Sequence, residues 1–126
     1  MDKTKILCVA DGGITTEMME DFRRLERYGA EVTIVEDTDM YAMGPITDRM
    51  TLIEQQGIDA APSCAALLEH CADKDIIVVH VASINRAVLA RARRLKVAAV
   101  LRGGYENADV PLLTERGVLL VNAPWR

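Results

Sequence analysis

Apolar residues in this chain gather into short unbroken runs, set apart by stretches in which they recur at helical spacing. The first run, Lys5-Ile-Leu-Cys-Val-Ala-Asp11, is closed by Gly12-Gly13. A continuous run of this kind suits a parallel strand covered on both faces, since a strand facing water on one side would alternate. Thr15 or Thr16 then offers a helix N-cap, and Glu17 and Glu20 lie near the positive end of the helix dipole. Met18, Met19, Phe22, Leu25 and Tyr28 approximate helical spacing, and Gly29 stands where a left-handed cap would stop the helix. A second run, Glu31-Val-Thr-Ile-Val-Glu36, follows at once. Strand, helix and strand within about thirty residues is the size of a βαβ unit.

Asp37 to Gly57 is the least regular stretch, with Met40, Tyr41, Met43 and Gly44-Pro45 ahead of an expected helix from Thr47 to Gln56. Gly57 to Ser63 reads as loop, and Ala65, Leu67, Leu68 and Cys71 supply the apolar side of the next helix. The third strand is the clearest, Asp75 to Ala82, after which Ser83-Ile84-Asn85 caps a helix from Arg86 to Arg94. A fourth strand, Val97 to Leu101, runs into Arg102-Gly103-Gly104. A short helix from Val110 to Arg116, with Pro111 in its first turn, stops at Gly117 before a fifth strand, Val118 to Val121. Five strands separated by helices predict an α/β fold, a doubly wound parallel sheet with helices on both faces. The expected strand order is 2-1-3-4-5, which is flavodoxin-like. With no repeat, low-complexity tract or linker, residues 1–126 read as one domain.

Composition narrows this picture. Half of the 126 residues are apolar and 27% are charged, the balance of a globular protein. No apolar run approaches the roughly 18 residues needed to cross a bilayer, and the start carries no secretory pattern, so a cytoplasmic protein with no membrane partner is expected. A net charge of −4 argues against nucleic acid as a partner. The basic cluster from Arg86 to Lys96 reads as a solvated helix face. Cys8, Cys64 and Cys71 form no Cys-x-x-Cys motif, and His70-Cys71 diverge by about 100° on a helix, so no metal site is expected. Cys8, inside an apolar strand, reads as a small buried hydrophobe.

From Leu95 to Pro124 the chain reads Leu-Lys-Val-Ala-Ala-Val-Leu-Arg-Gly-Gly-Tyr-Glu-Asn-Ala-Asp-Val-Pro-Leu-Leu-Thr-Glu-Arg-Gly-Val-Leu-Leu-Val-Asn-Ala-Pro. This segment resembles the first-domain signature of the D-2-hydroxyacid dehydrogenases, which include phosphoglycerate, glycerate and formate dehydrogenases. That signature has a strand opening on Leu-Lys and a glycine turn followed by an aromatic, an acid, Asn and an apolar-Asp pair. It continues with a short helix ending in Arg-Gly and a strand closing on Asn-x-Pro. The upstream part agrees in element order. The resemblance implies the substrate-side domain of an oxidoreductase that transfers a hydride between NAD(H) and a D-2-hydroxy or 2-oxo acid. Arg102 and Trp125 depart from the signature, each standing where glycine is common.

Ligands of open parallel sheets bind outside the carboxyl ends of the strands. Glycine there lets backbone approach a ligand, and free N–H groups can hold a carboxylate. The resemblance implies that Gly103 and Gly104 present amides to the substrate carboxylate, with Val81, Ala82 and Ser83 lining the same cleft. Asn107 and Asp109 are expected to fix the turn and cap the following helix. No Gly-x-Gly-x-x-Gly occurs in the chain, so no cofactor-binding residue is assigned, and NAD is expected to bind elsewhere in the parent enzyme. The family's catalytic Arg, Glu and His also lie beyond residue 126. His70 and His80 match none of these positions and read as structural or surface residues. The family's closing helix is likewise expected to be missing, leaving an apolar surface that self-association, as in a homodimer, or rearrangement would hide.

Other functions of the same fold fit less well. A receiver domain needs an Asp after strand three and a Lys after strand five, where this chain has Ala82-Ser83 and Asn122-Ala123. An FMN site would need a hydroxyl-rich loop in place of Asp11-Gly-Gly-Ile-Thr-Thr. The remaining alternative is a stand-alone or engineered binding and assembly module without catalysis.

Overall fold

The computed structural model describes residues 2–39 and 46–124, without the side chains of 46–48. The expectations for Met40, Tyr41, Met43, Gly44-Pro45 and Trp125 lie outside these residues, as does the side chain of Thr47. Strands β1 (Thr4–Ala10), β2 (Ala30–Glu36), β3 (Ile76–Val79), β4 (Val97–Val100) and β5 (Leu119–Asn122) form one sheet. All pairings are parallel, in the expected order β2-β1-β3-β4-β5. Its α-helices are α1 (Thr16–Met19), α2 (Ile46–Gln56), α3 (Ala65–His70), α4 (Arg86–Arg91) and α5 (Val110–Glu115).

The unbroken apolar run of β1 has a direct cause. Successive side chains of a strand point to opposite faces, so a strand buried on both sides needs apolar residues at every position. Leu7 and Val9 join Ile77, Val79, Ala98 and Val100 in a core with Leu67 of α3, Val88 and Leu89 of α4, and Leu113 of α5. Ile6, Cys8 and Ala10 face the other way, packing with Val78, Val32 and Met19 of α1. Cys8 is fully buried there, as expected, and burial pushes its thiol up to about 12.

Helices cover both faces, but unequally. On the second face, α1 and the segment after it lie over β1 and β2. Val97 and Ala99 of β4 are only half-buried, while Leu119 and Val121 of β5 are 61% and 41% exposed. Val97 pairs with Leu119 and Ala99 with Val121, so the exposed side chains form one continuous apolar strip.

The first expected helix is mostly a 3-10 helix. α1 makes a single turn, and Glu20–Tyr28 continues with three residues per turn. Met19, Phe22, Leu25 and Tyr28 recur every three residues, which lines one face of a 3-10 helix but drifts around an α-helix. Arg23 pairs with Glu20 and Glu26, and Arg24 with Asp21, all at three-residue separation. Gly29 closes the segment at φ +94°, the left-handed geometry expected of it.

Other boundaries follow the caps. Thr15 accepts from the N–H of Met18, Asn85 from that of Val88, and Asp109 from that of Leu112. β3 stops at Val79, three residues before the expected end at Ala82. From there the carbonyls of His80 and Ala82 accept from the Asn107 side-chain amide, so the ladder has been replaced by a side chain. No helix among the described residues is long and apolar enough to cross a membrane.

Leu67, fully buried between α3 and the sheet, tests this core. Leu67→Ala is expected to lower stability by about 2–5 kcal/mol. Leu119→Ala on the open face should change the stability of the single chain, at concentrations too low for association, by no more than about 0.5 kcal/mol, both read from urea denaturation midpoints.

Candidate functional site

The carboxyl ends of all five strands lie on one edge of the sheet, and the polar residues of the chain's strand-end loops meet there. Asp11, directly after β1, has a side chain only 1% exposed. Its Oδ1 accepts from the backbone N–H groups of Gly13 and Ile14, both at 2.8 Å. His80, directly after the neighbouring β3, places Nδ1 3.0 Å from Oδ1 and 2.9 Å from Oδ2 of the same carboxylate. Burial pushes the Asp11 carboxyl up, but the hydrogen bonds from His80, Ile14 and Gly13 outweigh it and hold the group below its ordinary value. Asp11 is therefore ionised at neutral pH and only accepts, which requires that Nδ1 of His80 carry the hydrogen.

Gly13 makes this arrangement possible. A Cβ built at Gly13 would lie 2.8 Å from Cε1 and 3.2 Å from Nδ1 of His80, closer than packed atoms tolerate. The glycine backbone thus lies against one edge of the ring while Asp11 holds Nδ1. The side chain of His80 is 18% exposed.

That exposed part lines an open cleft of about 350 Å³, whose other walls are Leu101, Arg102, Gly103 and Gly104. The glycine turn is held from both sides. Asn122, at the end of β5, donates to the Gly103 carbonyl at 2.8 Å, and Ala123 N–H donates to the Arg102 carbonyl at 2.9 Å. Arg102 reaches Glu106 at 3.2 Å and the Asn107 side-chain oxygen at 3.4 Å. A larger cleft of about 710 Å³ lies beside it, between the end of α2 and the start of α5, and also touches Gly104. Glu54, Glu106 and Asp109 line that larger space, which makes it unfavourable for an anion.

The residues singled out in the sequence separate into two groups. Gly103 and Gly104 lie in the smaller cleft. Val81, Ala82 and Ser83 are at most 1% exposed, so their side chains lie behind the cleft wall rather than in it. Asn107 and Asp109 take the expected structural places, Asp109 as a cap and Asn107 as the clasp on the loop after β3. The sequence reads His80 as a structural or surface residue and does not join it to Asp11. The available signal was an Asp and a His each closing a strand, in strands that the 2-1-3-4-5 order makes neighbours.

Behind the wall, the buried Arg49 of α2 donates to the Pro62 carbonyl at 2.9 Å and lies 3.5 Å from Ser83 Oγ. Asp37, Asp39 and Cys64 bring one ligand atom each within 4.8 Å of one another, the grouping a cation could use. The chemistry of the set does not favour one. Burial pushes the Cys64 thiol up to about 11, leaving a poor ligand, and Arg49 already supplies positive charge to Asp37.

The sequence profile of the D-isomer specific 2-hydroxyacid dehydrogenase catalytic domain matches residues 32–125. A D-3-phosphoglycerate dehydrogenase of Methanocaldococcus jannaschii is 35% identical over 81 residues, which are 61% of this chain and 16% of that protein. One from Mycobacterium leprae is 33% identical over 95 residues, 75% of this chain and 18% of that protein. The chain thus spans about a sixth of the length of these curated relatives. Among solved structures, an NAD+-bound 3-phosphoglycerate dehydrogenase from Entamoeba histolytica superposes with a TM-score of 0.68 at 16% identity, covering 95% of this chain and 32% of that one. A D-lactate dehydrogenase from Aquifex aeolicus gives 0.59 at 13% identity, covering 94% and 28%.

Two outcomes test the site's construction. A carboxylate held below its ordinary value contributes stability above its unfolded value, about 3.9, and loses it as the pH falls through the depressed folded value. Denaturation of the native chain should therefore become easier on acidification below about pH 4, and Asp11→Asn should flatten that part of the profile. Gly13→Ala should displace the ring of His80, visible as a changed His80 Cε1 proton shift, and cost about 1–3 kcal/mol.

Proposed function

Since the chain belongs to the D-isomer specific 2-hydroxyacid dehydrogenase family, we propose that it is the substrate-side domain of an enzyme moving a hydride between NAD(H) and a 2-oxo or 2-hydroxy acid. The observation that carries this reading is the segment from Leu95 to Pro124, which folds as β4, a glycine turn, α5 and β5 and sets Gly103 and Gly104 in a cleft at the carboxyl edge. Carboxylates are recognised by convergent backbone N–H groups, and glycine lets a ligand come close to them. In this reading the substrate carboxylate rests on the Gly103 and Gly104 amides. The backbone of Val81, Ala82 and Ser83 forms the floor beneath it.

The chain has no Gly-x-Gly-x-x-Gly turn, so NAD binds on another domain of the enzyme, which also brings the catalytic acid and base. The domain alone binds acid but transfers no hydride. It works in the cytoplasm, with no nucleic acid or membrane as partner. The apolar strip of Val97, Ala99, Leu119 and Val121 favours a covered state, and in the isolated domain a second copy covers it, giving a homodimer.

Titration of the 15N-labelled chain with glyoxylate should move the amide signals of Gly103 and Gly104 saturably in the millimolar range, with no oxidation of added NADH. Shifts confined to the cleft beside α2 and α5, or none at the two glycines, would refute the assignment. Sedimentation should show a dimer that Leu119→Lys with Val121→Lys converts to monomer, and a native chain that stays monomeric would remove the homodimer.

A further inference from the structure

The substrate cleft contains a histidine braced by a buried carboxylate, and the reaction read from the family assigns that pair no task. The pair is built rather than incidental. Asp11 satisfies two loop amides and the imidazole together, Gly13 clears the space against the ring, and Asn107 donates to the His80 carbonyl at 3.2 Å. Every hydrogen bond of the ring among the described residues runs through Nδ1. With Nδ1 committed to Asp11, the ring's chemistry toward a ligand rests on Nε2.

An imidazole fixed at Nδ1 by an ionised carboxylate has two settings at Nε2. When neutral it presents a lone pair, and when protonated it presents an N–H with positive charge. The cleft itself selects between ligands. Among the described residues its walls hold two side chains able to carry positive charge, His80 and Arg102, with Glu106, paired to Arg102, beside Gly104. An anion fits these walls.

Resting on the reading of the cleft as a 2-oxo acid site, we propose that His80 is a specificity residue that takes up a proton with the ligand and donates from Nε2 to its acid group. Asp11 is the positioning residue that holds the ring for this contact. Acid binding and proton uptake are then one event, and affinity falls about tenfold for each pH unit above the imidazole titration.

The groups facing the ring separate its contribution from theirs. From the end of β1 the ring meets Asp11, which is ionised throughout the range in which histidine titrates. From the turn after β4 come Arg102, whose charge is constant, and Glu106, already engaged by Arg102 at 3.2 Å. A pH-dependent component of binding near neutrality therefore reports on His80.

Oxalate is a suitable probe, since both of its carboxyls are ionised through the upper part of the range in which histidine changes charge. NMR titration of the native chain with oxalate should move the Gly103 and Gly104 amides together with the His80 ring signals. Affinity should drop about tenfold per pH unit on the alkaline side, and saturating oxalate should raise the titration midpoint of His80. The midpoint measurement needs no variant. His80→Gln, which keeps a donor but not the charge, should bind oxalate at least fivefold more weakly at the acid end and lose the pH dependence.

The outcomes separate the two readings. Oxalate shifts at the glycines with an unmoved His80 midpoint, or a His80→Gln chain that binds as the native one does, would overturn the role of His80 and leave the cleft assignment standing. No oxalate shift at either glycine or at His80 would overturn both.

Discussion

A parallel sheet places the carboxyl end of every strand on one edge, and there the ladder runs out while much of the backbone is still buried. Each N–H and C=O left over must find a partner, because an unpaired buried amide costs as much as a lost hydrogen bond. In this protein side chains from neighbouring loops supply those partners. Asp11 accepts from Gly13 and Ile14, Asn107 donates to the carbonyls of His80 and Ala82, and Asn122 donates to that of Gly103. The groups that complete the fold at this edge are therefore the same groups that hold the walls of the cleft.

That shared duty shapes the electrostatics. Asp11 is deeply buried yet stays ionised, because three donors converge on it. Its charge is directed at His80, and Arg102 is tied to Glu106 and Asn107 across the same opening. Glu54 and Asp109 line the neighbouring larger cleft, which shares Gly104, and the Glu106 carboxylate lies against that glycine.

The two faces of the sheet carry different loads. Leu67, Val88, Leu89 and Leu113 fill the side under α3, α4 and α5, and the buried residues there form one large cluster. On the opposite side Met19 and Phe22 shield β1 and β2, whereas Leu119 and Val121 meet water. Apolar surface at an edge strand is the kind that invites association, and here it is confined to this half of the sheet.

The sequence alone determined the elements and their order. Unbroken apolar runs marked buried parallel strands, Thr15, Asn85 and Asp109 marked helix starts, and Gly29 and Gly117 marked stops at positive φ. These are local signals, set by what one residue's backbone or its next few neighbours allow. The glycine turn at 103–104 was legible for the same reason, within a continuous motif. The 3-10 form of Glu20–Tyr28 was written in a three-residue apolar spacing but was read as an ordinary helix. Only the tertiary structure decided which strand-end residues meet. Asp11 and His80 are separated by 69 positions, and no spacing rule joins them. They touch because β1 and β3 are adjacent, because Gly13 leaves room for the ring, and because Asn107 ends β3 early enough for His80 to turn toward the cleft. The same packing put the side chains of Val81, Ala82 and Ser83 behind the wall, since a residue's neighbours across the sheet, not along the chain, determine which way it faces.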